Sequence, residues 1–61
     1  MGWVEDAFKA AKFLVTTAGL VATISSADIQ KQADVISKNY PHESALRIRS
    51  KIEEEIKTIR K

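Results

Sequence analysis

No cysteine occurs in the 61-residue chain, so neither a disulfide framework nor a thiolate metal site can form, and the redox compartment leaves no mark on the composition. With His42 as the one histidine, a zinc site would have to be built from carboxylates around one imidazole, a rare composition for structural zinc. No metal or cofactor is expected. Glycine is limited to Gly2 and Gly19, and nothing around either matches a phosphate loop or a dinucleotide fingerprint. There is little excess of either charge: ten Lys and Arg stand against eight Asp and Glu, with the signs interspersed, which points only weakly to nucleic acid.

The short length has its own consequence. A domain of about this size buries only about 60% of the surface that its unfolded chain exposes. Small domains supplement such a core with disulfides, a metal or association with another chain. With the first two lacking their usual residues, association remains.

What is present reads as helix. Two breaks, at Ser25-Ser26 and at Asn39-Tyr40-Pro41, divide the chain, and no stretch alternates with the period of two that a half-buried strand requires. The expected organisation is one domain, residues 1–61, with helices at about 3–24, 26–39 and 42–60, uncertain by about 2 to 4 residues at each end. Acids precede bases in each segment, opposing the helix dipole: Glu5 and Asp6 before Lys9 and Lys12, Asp28 before Lys38, and Glu43 before Lys57, Arg60 and Lys61. Ser25 or Ser26 can cap the second segment, and Pro41 suits the first position of the third. Short connections favour helices that fold back on each other. The fold class is therefore all-α, a small three-helix bundle or hairpin.

At 100° per residue, Val4, Ala7, Ala11, Val15, Ala18 and Ala22 fall in one stripe of mostly small side chains, a candidate helix–helix interface. Phe13, Leu20 and Ile24 line nearly the opposite side, and Trp3, Leu14 and Val21 fill the arc between. Only a wedge with Glu5, Lys9, Lys12, Thr16 and Thr23 is polar. So wide an apolar arc predicts a central first helix, enclosed by the other two segments or completed by self-association through the alanine face into a homo-oligomer. The second segment adds Ile29, Ala33, Ile36 and Tyr40 to the expected core, and the third adds Ala45, Ile48, Ile52, Ile56 and Ile59. Glu43 with Arg47 and Glu53 with Lys57 are spaced for i,i+4 ion pairs.

Catalysis finds no candidates. Glu53, Glu54 and Glu55 are consecutive and fan out about 100° apart, so they read as a solvated face. His42, Glu43 and Ser44 are neighbours that point in different directions with no oxyanion motif beside them, and they read as a capping region. An enzyme is not expected.

Three functional readings follow. The first is a non-catalytic interaction, accessory or regulatory module that meets a protein partner through a helix face, in the cytoplasm. The alternative is membrane association through the uncharged stretch 13–27, whose Ser25-Ser26-Ala27 end fits a small-residue cleavage pattern. Against it, the stretch is shorter than the roughly 18 residues a span requires, and Glu5 and Asp6 spoil a basic leader. Lipidation at Gly2 fits poorly, because Asp6 stands where Ser or Thr is wanted. The least favoured reading is nucleic-acid binding through Arg47, Arg49, Lys51, Lys57, Arg60 and Lys61. These spread around the helix, interrupted by acids, and the preceding turn lacks glycine.

Overall fold

The computed structural model describes residues 2–19 and 22–60, which include three α-helices: α1 (Trp3–Ala18), α2 (Ser26–Asn39) and α3 (Ala45–Ile59). The helices pack together as one all-α domain, and no strand occurs among the described residues.

Helix α1 stops six residues before its apolar pattern does. Gly19 takes φ 88°, a left-handed conformation that costs glycine little, and its N–H donates to the Val15 carbonyl at 2.8 Å. A Cβ at this position would add strain without any clash, since the surrounding space is open. The expected extension to residue 24 is thereby corrected: Ala22 and Ile24 belong to the connection, while Leu20 and Val21 lie outside the described residues.

Both ends of α2 fall where the sequence puts them. Ser25 caps it by accepting from the Ala27 N–H at 3.2 Å, with Asp28 in the first turn and Lys38 in the last. Tyr40, turned out of helical geometry ahead of Pro41, ends it.

Helix α3 starts later than Pro41. Residues 41–43 form a turn in which the Glu43 N–H donates to the Tyr40 carbonyl at 3.0 Å, and Ser44 then caps the helix by accepting from the Arg47 N–H at 3.1 Å. A serine hydroxyl satisfies a free amide, which neither Pro41 nor His42 does here, so the better cap sets the boundary. Glu43 consequently precedes the helix, and its carboxylate reaches Arg47 at 3.7 Å.

The core joins Ala7, Ala10, Ala11, Leu14 and Val15 to Ile29, Ala33 and Ile36 and to Ile48, Ile52 and Ile56, with Trp3, Ile24, Tyr40 and Ile59 packed around it. Ile48 and Ile52 are its largest fully buried side chains. Helix α3 packs extensively against both α1 and α2, which touch each other least. The central helix is thus α3, not α1. Three helices leave α1 only two neighbours, and its buried positions span an arc of about 140° at 100° per residue. What lies beyond that arc stays wet: Phe13, expected in the core, is 58% exposed, and Val4 is 45% exposed. Ala45 is half-buried.

Candidate interaction surface

Ala7, Ala11 and Val15 of the small-residue stripe are buried inside the single chain, Ala18 is half-buried, and Ala22 is exposed in the connection. The middle of that stripe is spent on the chain's own packing and offers no surface to a second molecule.

Among the hollows that open between the described elements, three are lined by charged side chains. The first, about 400 Å³, lies beside the α1–α2 connection and is lined by Thr23, Ile24, Ile29, Glu53, Ile56, Lys57 and Arg60. Most of its charged groups are already engaged. Arg60 donates through Nη2 to the carbonyls of Gly19, at 2.9 Å, and Ala22, tying the end of α3 to the connection, while its buried Nε finds no acceptor. Glu53 meets Arg49 at 3.4 Å, and Arg49 also donates to Gln30 at 2.9 Å and to Ser26. The expected pairing of Glu53 with Lys57 does not form, because a guanidinium anchored on α2 holds the carboxylate on the other side.

The second hollow, about 340 Å³, is lined by Trp3, Val4, Arg47, Ser50, Lys51 and Glu54. Its ions are engaged as well. Arg47 lies over the Trp3 ring at 5.7 Å, and Lys51 meets Glu54 at 3.1 Å and Glu55 at 3.7 Å. The three consecutive glutamates thus each pair with a base about one turn earlier, and Arg47, Arg49 and Lys51 offer no continuous cationic stripe. Lys61 lies outside the described residues.

The third hollow differs. It is a groove of about 330 Å³ between α1 and α2, lined by Asp6, Lys9, Ala10, Phe13, Gln32, Val35, Ile36 and Asn39. Phe13, 58% exposed, and Val35, 51% exposed, put two large apolar side chains into water along one groove. Neither Asp6 nor Lys9 makes an ion pair with another described residue. The groove thus combines exposed apolar surface with charges of both signs that form no ion pair among the described residues. Val35 carried a sequence signal, being a β-branched apolar residue off the α2 stripe.

Tyr40 stands at one end of this groove, near Asp6. Its hydroxyl is held above the ordinary 10.0 first by hydrogen bonding to the Asp6 carboxylate, then by desolvation and by the negative charges of Asp6 and Glu5. Raising the folded value means that the tyrosine's contribution to stability is intact below pH 10.0 and is lost as pH climbs through the folded value. Because Tyr40 is the single tyrosine, ultraviolet titration reads it directly. The midpoint is expected above 10.0 and to fall toward it in Asp6→Asn; an unmoved midpoint would show that the two groups do not interact.

The geometry defines a small three-helix domain that leaves large apolar side chains exposed, two of them along the α1–α2 groove. Compared with family models, curated proteins and solved structures, the chain finds no significant match. No group of three or more metal-ligating side chains converges among the described residues, and none of their helices is long and apolar enough to cross a membrane.

Proposed function

We propose that this chain is a non-catalytic, cytoplasmic interaction module that acts by docking a protein on the α1–α2 groove. The observation that supports the reading most is the coincidence, in one groove, of exposed Phe13 and Val35 with Asp6 and Lys9, neither of which forms an ion pair among the described residues. Aromatic side chains at the centre of a contact surface contribute most of its binding energy, and a polar rim sets its specificity. The charged groups of the other two hollows are largely committed to intramolecular contacts, which favours this groove over them.

Site-specific photocrosslinking tests the proposal. A benzophenone side chain in place of Phe13 is expected to give light-dependent protein adducts of discrete mass in the native host. The same group at exposed Thr58, on the outer side of α3, is expected to give none. Val35→Asp, which places a charge in the groove, is expected to abolish the adducts. Equal labelling from both positions would overturn the reading. Binding to phosphatidylserine vesicles without protein adducts would replace it with the membrane alternative, for which the exposure of Phe13 at the start of the uncharged stretch is the favouring observation.

A further inference from the structure

Resting on the protein-contact reading just given, we infer that the partner on this groove is a second copy of the chain, related by a two-fold axis passing between Asp6 and Lys9 of α1. Gly2, Asp6, Lys9 and Phe13 follow one another at spacings of four, three and four, so at 100° per residue they share one stripe. That spacing is the same read from either end. A two-fold axis midway along the stripe, with the two α1 helices antiparallel, therefore sets Asp6 beside Lys9 of the other copy, Lys9 beside its Asp6, and each Phe13 over the other's Gly2.

Each of these juxtapositions is chemically matched. Asp6 and Lys9 are opposite charges without ion-pair partners among the described residues, and an isologous contact supplies one to each. Asp6 can serve Lys9 and Tyr40 together, because a carboxylate has two oxygens to offer. Gly2 has no side chain, and a Cβ built on it meets nothing within 4 Å, which leaves room for an aromatic ring from the facing helix. Phe13 is the more exposed of the groove's two exposed large apolar side chains, at 58%. A polyanion or an anionic lipid surface would gain from Lys9 but be repelled by Asp6, whereas a second copy answers both signs.

Analytical ultracentrifugation with a charge-swap pair provides the test. The wild-type chain is expected to sediment at twice its 6.8 kDa mass at high micromolar concentration. Asp6→Lys and Lys9→Glu, each alone, put like charges opposite one another and are expected to raise the dissociation constant at least about tenfold while leaving the helical circular dichroism in place. Mixing these two variants restores opposite charges across the axis, so the equimolar mixture is expected to recover the dimer mass. Phe13→Ser is expected to be monomeric without such rescue.

A wild-type chain that stays at 6.8 kDa up to millimolar concentration overturns the inference. So does a mixture that stays monomeric, or a dimer indifferent to all three substitutions. If the monomeric chain still crosslinks through position 13 to a heavier protein, the pairing of copies fails while the interaction reading stands.

Discussion

Ile52→Ala is expected to remove a large part of the total stability, about 2 to 5 kcal/mol. Ile52 is completely buried on the central helix, between α1 and α2, so truncation loses both its transfer free energy and the contacts of the atoms that lined it. At about 0.05 to 0.15 kcal/mol per residue, 61 residues amount to roughly 3 to 9 kcal/mol in all. The loss is therefore of the same order as the whole. Thermal unfolding followed by circular dichroism should show a drop in Tm of about 10 °C or more. Leu46→Ala is the natural control: at 73% exposure it should shift stability by no more than about 0.5 kcal/mol. Equal effects at the two positions would mean that α3 does not occupy the middle of the domain.

The second large effect comes from adding volume. Ala7 and Ala11 are fully buried one turn apart on α1, on the arc between Ala10, which borders α2, and Val4, which borders α3. Neither position has space for a longer side chain without displacing a neighbour. Ala11→Leu forces three more carbons into this contact and is expected to cost about 1 to 3 kcal/mol by strain and displacement. Ala18→Leu adds the same atoms where the helix is half-exposed and should cost much less. Chemical denaturation midpoints compare the two directly. A midpoint unchanged by Ala11→Leu would show that α1 stands off from its neighbours. The mechanism differs from that of Ile52→Ala, since one change opens a void and the other overfills a contact, so agreement of both would locate the packing from two directions.

Much of this architecture could be read from local pattern. The stripe Ile29, Ala33, Ile36 lies buried as its spacing requires, and so does Ile48, Ile52, Ile56. Ser25 and Tyr40 bound α2 as their backbone preferences dictate. The failures share one cause: periodicity reports which residues share a face, without saying what covers that face. On α1 the apolar pattern runs past Gly19, so it could not reveal that the glycine would turn the chain. Phe13 satisfied the apolar pattern as well as Leu14 did, yet Leu14 is buried and Phe13 is not, because only one of them points at a neighbouring helix. The candidate groove was correspondingly hidden. Asp6 and Lys9 were legible only as an acid ahead of a base on the first helix, and Val35 stood outside the expected core.

The ion pairs show the same division. Glu43 and Arg47 pair as their i,i+4 spacing suggests, but Glu53 turns to Arg49, which is drawn across to Gln30 and Ser26 on α2. Arg60 closes against the carbonyls of Gly19 and Ala22, 41 and 38 positions away in the chain. No local rule anticipates the reach of Arg49 to α2 or of Arg60 to the connection.

The amino-acid sequence by itself determined that this protein is helical, where α2 begins and ends and which residues of each helix share a face, because propensity, capping and the 3.6-residue period act within a few neighbouring residues. Only the tertiary structure decided that α3 is the centre and that Phe13 is left facing water. Those outcomes depend on how three apolar faces of unequal width are shared in one small core, and a helix cannot cover more of its neighbours than its own surface allows.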